Sequence, residues 1–139
     1  MPKLLEPPSG QQVFTRDFTP TPGDIDANGH VNNVVYLDWA QQLATAHWMA
    51  RQSPDDIARW AWICLRHLVD YRRSLLLGEV AHARTWVATT SEGPRFDRYV
   101  RIDGPDGAMC AQAITTWCLI EAATGRPKRV SPEMVERFL

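Results

Sequence analysis

The sequence predicts an α+β domain in which an antiparallel, five-stranded sheet wraps around one long helix. Two observations carry that prediction. From Val31 to Ala50 the chain holds no proline or glycine and, histidine aside, a single charge, Asp38, while Val34, Val35, Leu37, Trp39, Leu43, Ala44, Trp48 and Met49 spread around the helical wheel. Beyond residue 60 the apolar period changes from helical to two, the mark of strands.

Taken in order, residues 1–12 are proline-rich and polar, a composition that cannot offset its own ordering entropy, and are expected to form a flexible leader to a domain spanning 13–139. A β-prone stretch from Val13 to Phe18 ends at Thr19-Pro20-Thr21-Pro22-Gly23, where two prolines remove backbone donors. The long helix follows; at 1.5 Å rise per residue it is roughly 30 Å long, enough to cross a small domain. Its apolar residues lie on so many sides that it is expected to be covered on most of its circumference. Ser53-Pro54-Asp55-Asp56 reads as a cap, a proline at the first helical position and acids in the first turn of a short helix. Ala61, Ile63, Leu65, Val69 and Tyr71 then alternate in one strand, and Ala81, Ala83, Thr85, Val87 and Thr89 in the next, whose small side chains let a helix approach the sheet. Phe96, Val100 and Ile102 mark a third run, Asp106-Gly107 a hairpin turn, and Met109 to Ile120 a long β-branched and aromatic strand. These four strands are expected to form a meander. Ser131-Pro132-Glu133 caps a last short helix.

Composition narrows the function classes. A chain of 139 residues, 45% of them hydrophobic, suits one compact core. With 15 basic and 16 acidic residues the formal net charge is -1, so no global field favours nucleic acid or an anionic membrane, and neither is expected as a partner. The N-terminal residues have neither a signal-peptide core nor a membrane span, so a cytoplasmic location is the expectation. Cys64, Cys110 and Cys118 lack CxxC spacing and lie in apolar segments; they read as reduced thiols, not as zinc ligands or a disulfide framework. No metal site is expected. No G-x-S-x-G elbow surrounds any serine, and no phosphate-binding or dinucleotide-binding glycine pattern occurs.

Chemistry-bearing residues concentrate in one place. The segment Asp24-Ile25-Asp26-Ala27-Asn28-Gly29-His30-Val31-Asn32-Asn33-Val34-Val35-Tyr36 packs acid, amide and imidazole groups into the turn before the long helix. Turn formation and capping account for Asp, Asn and Gly there, with Asn28 or Asn32 accepting from first-turn amides. A functional reading is also open. The first turn of a helix presents unpaired amide hydrogens that could polarise a thioester carbonyl as oxyanion charge develops, while a neighbouring carboxylate attacks it or activates water.

The pattern D-x-D-x-N-x-H-V-N-N-x-x-Y resembles the active-site segment of hotdog-fold thioesterases, above all the plant acyl-carrier-protein thioesterases. The bacterial acyl-CoA thioesterases similar to 4-hydroxybenzoyl-CoA thioesterase share its D-x-D start and the tyrosine. Val69-Asp70-Tyr71-Arg72-Arg73 is similar to an acid followed by Tyr-Arg-Arg in the plant enzymes, and the order of elements covers about residues 12 to 125. The resemblance implies a single hotdog domain that hydrolyses an acyl-CoA or acyl-carrier-protein thioester. It implies Asp26 as the essential carboxylate, with Asn28 and His30 as its polar partners, and Asn33 and Tyr36 lining the acyl pocket or holding the turn. Arg72 and Arg73, with Arg95, Arg98, Arg101, Lys128 and Arg129, are candidates for CoA phosphates, although any one of them also reads as a solvated surface charge. No cofactor is implied, CoA entering only as part of the substrate. Two departures stand out: Ser74 occupies the place where the plant pattern has a glutamate directly after Tyr-Arg-Arg, and the plant enzymes carry two hotdog units where this chain has room for one. The second departure implies a homodimer or homotetramer.

Other residues have structural readings. His47 and His67 read as satisfied core or interface histidines and His82 as outward-facing; the tryptophans, Trp60 and Trp62 among them, belong first to cores and interfaces. Two competing functions remain: a hotdog enoyl-CoA hydratase, disfavoured because Gly29 alone separates Asn28 from His30, and a non-catalytic acyl-CoA-binding module.

Overall fold

A computed structural model of the chain describes residues 3–139. Strand β1 (Phe14–Phe18) leads through a 3-10 turn at Pro22–Asp24 into helix α1 (Asn33–Arg51), followed by α2 (Pro54–Arg59), β2 (Trp60–Tyr71), β3 (Ala81–Val87), β4 (Arg95–Asp103), β5 (Met109–Glu121) and α3 (Pro132–Phe138). Each helix begins at the cap its sequence offers. Asn32 Oδ1 accepts from Val34 N–H, Ser53 from Asp56 N–H and Ser131 from Met134 N–H.

The five strands form one antiparallel sheet in the order β1-β3-β4-β5-β2. Only β3, β4 and β5 form a meander. Strand β2 pairs with the thirteen-residue β5 at the opposite edge from β1, and the segment between Tyr71 and Ala81 carries the chain back across the sheet. The expectation of four strands in meander is corrected to that extent, because β5 is long enough to pair with β2 from Ala111 to Glu121.

Helix α1 lies on the concave face and buries one stripe, Tyr36, Trp39, Ala40, Leu43, Ala44, His47 and Trp48. Asp38, Gln41, Gln42, Thr45 and Met49 on its other side are exposed, so the helix is not enclosed on most of its circumference. Ala81 and Ala83 of β3 and Ala111 of β5 permit the close approach, joining Tyr36, Trp39, Leu43, Val100 and Ile102 in one core. A second core at the other end of α1 gathers Trp48, Phe96, Leu119, Val130, Met134 and Phe138, with α3 as its cover.

One further expectation changes. A β-bulge between Cys64 and Arg66 shifts the register, so Ala61 and Ile63 pair with outward residues of β5 while Val69 and Tyr71 pair with the inward Ala113 and Ala111. The alternation read through Leu65 as one face is therefore split between two. Of the N-terminal leader, residues 1 and 2 lie outside the described residues. Residues 3–12 carry no helix or strand, yet they are fastened to the sheet: Gln112 Oε1 accepts from Leu5 N–H, Gln112 Nε2 donates to the Lys3 carbonyl, Gln11 Nε2 donates to the Val87 carbonyl, and Glu6 pairs with Arg101.

Candidate active site

The acid- and amide-rich segment folds as a tight turn at the entrance to α1. Asp26 N–H donates to the His30 carbonyl (2.9 Å) and Gly29 N–H to the Asp26 carbonyl (3.0 Å), and an isolated bridge joins Ile25 to Val31. Gly29 takes φ +80°, a left-handed conformation that a side chain would strain, which is why glycine stands between Asn28 and His30. The Asp26 carboxylate, half-buried, accepts from Asn28 N–H at 2.9 Å through Oδ1, and Oδ2 makes no hydrogen bond among the described residues. Asn28 and His30 are exposed, and their side chains make no hydrogen bond to Asp26; they share its turn through their backbones.

The second motif segment meets the first. Val31 N–H donates to the Leu75 carbonyl (2.9 Å), Leu75 N–H donates to Tyr36 Oη (3.1 Å), and Tyr71 Oη donates to the Asn33 carbonyl (3.2 Å). Tyr36 is buried and Leu75 wholly so, and burial raises the pKa of both Tyr36 and Tyr71, which keeps them as neutral hydrogen-bonding phenols. The Tyr36 hydroxyl thus ties the first turn of α1 to the segment after β2. Asn33, exposed, contributes its carbonyl to the same junction. Neither Leu75 nor the β2 end stood out in the sequence beyond the Tyr-Arg-Arg resemblance.

Arg73 is engaged by groups of the protein itself. Its guanidinium donates to Glu79 (2.7 and 3.1 Å), to Asp106 (2.9 Å) and to the Ser74 carbonyl (3.1 Å), tying the β2–β3 connection to the β4–β5 hairpin. These carboxylates hold the guanidinium well above its usual pKa, Glu79 contributing most. Ser74 offers no acid. Glu79, the nearest acid along that connection, accepts from Arg73 and from Leu76 N–H and is thereby occupied. Arg72 is exposed, and its backbone N–H donates to the Cys110 carbonyl.

Among the other arginines, Arg98 and Arg101 are buried, at 6% and 7% exposure, against the surface reading. Arg101 pairs with Asp103 and Glu6 on the convex face; Arg98 points inward and donates to His47 Nδ1 (2.9 Å). His47 is therefore only half satisfied, since its Nε2 is buried without a partner among the described residues. His67 bonds Thr115 and Cys64, and His82 bonds Asp17 at the surface. No group of three or more His, Cys, Asp or Glu side chains that could hold a metal occurs among the described residues, nor does any helix long and apolar enough to cross a membrane.

A helix laid on a curled antiparallel sheet, with a carboxylate in the turn at its entrance, defines the hotdog class. A sequence profile of the thioesterase-like superfamily matches residues 20–138, and the chain belongs to that family. It is 27% identical over 119 residues to a chloroplastic acyl-[acyl-carrier-protein] hydrolase of Cuphea viscosissima, covering 84% of this chain but only 26% of that protein. Among solved structures it is similar to a thioesterase of Thermus thermophilus complexed with coenzyme A and zinc, with a TM-score of 0.79 at 23% identity over 94% of this chain and 93% of that one. It is also similar to a 1,4-dihydroxy-2-naphthoyl-CoA thioesterase of Synechocystis, with a TM-score of 0.77 at 14% identity over 91% and 96%.

Proposed function

We propose that the protein hydrolyses an acyl-CoA thioester, with Asp26 as general base or nucleophile and the N-terminal amides of α1 polarising the thioester carbonyl. The observation that supports it is the half-buried Asp26 carboxylate, fixed by one backbone amide with its second oxygen unbonded among the described residues, six residues before the cap of α1 in a chain of thioesterase family. A carboxylate so placed has a free lone pair for a water proton or for attack, and the helix end supplies the positive potential a developing oxyanion needs. Asn28 and His30, exposed on the same turn, are the polar groups that meet the thioester, with Asn33 and Arg72 beside it. The CoA form of the substrate accords with the coenzyme A in the Thermus thermophilus structure and the CoA ester named for the Synechocystis enzyme.

The active form in this reading is at least a dimer. The outer edge of β2 is unpaired among the described residues, and Ile63, Leu65 and Leu68 are each about half exposed along it, a combination that protein surfaces ordinarily cover. A second copy adding its own β2 would continue the sheet.

The test is a panel of acyl-CoA substrates followed by release of free thiol, in wild type and Asp26→Asn. Asparagine retains an oxygen to accept from Asn28 N–H, so the turn should survive while kcat falls by about 100-fold or more, the usual contribution of a positioned base. Near-normal thiol release by a folded Asp26→Asn variant refutes the assignment.

A further inference from the structure

We infer that the aromatic cavity at the far end of α1 is a binding site for a small aromatic carboxylate, held by the buried guanidinium of Arg98 and the indole N–H of Trp117. The cavity, about 320 Å³, lies between the last turns of α1, the start of β2 and the inward faces of β4 and β5, and Trp48, Trp60, Trp62, Phe96 and Phe138 form its walls. That volume is at the small end of the range for ligand pockets, suited to a single ring with a short substituent.

The charge inside it is not neutralised. Arg98 is 6% exposed and lines the cavity, yet among the described residues no carboxylate pairs with it. Its hydrogen bonds, to His47 Nδ1 (2.9 Å) and Thr85 Oγ1 (3.0 Å), both leave from Nη1 and both end on neutral acceptors. Nη2 and Nε, the fork that matches a carboxylate, make none among the described residues. Buried ionic groups are ordinarily paired, because removing an ion from water costs several kcal/mol that neutral partners recover only in part. Trp117 adds a second donor with the same deficit. Its ring lines the cavity, and its Nε1 is buried without an acceptor among the described residues.

Charge at the rim has the same sign. Lys128 Nζ stands 5.0 Å over the ring of Trp60 and has no carboxylate partner among the described residues, whereas Arg59 on that ring is balanced by Glu121 and Asp56 nearby by Arg137. An apolar chamber with two unmatched donors, one of them cationic, selects a flat apolar body carrying an anionic group. The first cavity residue on α1, Ala44, is about 17 Å along the helix from Asn33, so this site is separate from the Asp26 turn of the same protomer and does not rest on the thioesterase reading.

Titration of the full chain with phenylacetate and with its neutral isostere phenylacetamide, read by intrinsic tryptophan fluorescence and by melting temperature, tests the inference without any hydrolysis step. Wild type should bind the acid saturably, with at least tenfold higher affinity than the amide, and only the acid should raise the melting temperature. Arg98→Met should abolish the preference. Should that variant not fold, Trp117→Phe decides, since it keeps the wall and removes the donor: its affinity for phenylacetate should fall several-fold. Equal wild-type affinities for acid and amide, no saturable response to the acid, or acid binding untouched by Trp117→Phe overturns the assignment.

Discussion

His47 should make the protein acid-labile in a window where carboxylates do not. Its ring is fully buried, stacked on Phe14 at 4.9 Å and tilted against Phe138 at 4.9 Å, and its Nδ1 accepts from Arg98. Burial, then the charges of Arg98 and Arg51, push its pKa down from 6.5 to about 3. The unfolded chain thus takes up a proton near pH 6.5 that the folded one refuses, so the stability contributed by the neutral ring is complete above pH 6.5 and is lost as pH falls towards 3. Between pH 7.5 and pH 5 the loss from this group alone is about 2 kcal/mol. His47→Gln keeps an acceptor for Arg98 and does not titrate. Urea unfolding of both proteins at the two pH values should show wild type losing about 2 kcal/mol more than the variant. His30, His67 and His82 remain in both proteins and cancel in the difference. Equal losses in wild type and His47→Gln would refute the placement of a neutral imidazole beside Arg98.

Two further outcomes are expected. Asn32→Ala removes the side-chain N-cap of α1, so urea unfolding should report a loss of about 1 kcal/mol, together with reduced thiol release because the same helix entrance carries the candidate site. Leu68→Lys places a charge at the middle of the exposed β2 edge; light scattering should show the variant shifted towards monomer, and an unchanged oligomer would show that β2 is not the contact.

Much of the fold was legible because its signals are local. Proline pairs ended β1, Ser-Pro-acid clusters placed α2 and α3, and the long run free of proline and glycine gave α1 to within two residues at its start. What failed was everything set by a distant partner. The bulge at Leu65 carries no proline or glycine to mark it, so an unbroken alternation through β2 was the natural reading, and a single extra residue reversed the facing of Ala61 and Ile63 relative to Val69 and Tyr71. The pairing of β2 with β5 instead of β3 depends on strand lengths that become comparable only once both are folded. For the candidate site, the Asp26 turn followed from its residue types, whereas the pairing of Arg73 with Glu79 depends on how the β2–β3 connection folds back and its pairing with Asp106 on a hairpin more than thirty residues away.

Arg98 shows what the sequence held without declaring. It stands in phase with Phe96, Val100 and Ile102, so period-two alternation already turns it inward, just as His47 falls on the stripe of Tyr36, Ala40, Leu43 and Ala44. Phase alone gives direction; only the crossing of β4 over the later turns of α1 brings the two together. An inward cation leaves few outcomes: a carboxylate from the protein, a neutral acceptor that stabilises it in part, or an anion from outside. Here the protein's partners are an imidazole held neutral, a hydroxyl already donating to the Tyr99 carbonyl and the face of Phe138, none of them an anion, so the positive charge persists within an aromatic chamber. Because Arg98 itself helps keep His47 neutral, an anion beside the guanidinium should weaken that repulsion and raise the pKa of His47, coupling occupancy of the cavity to the acid stability of the fold.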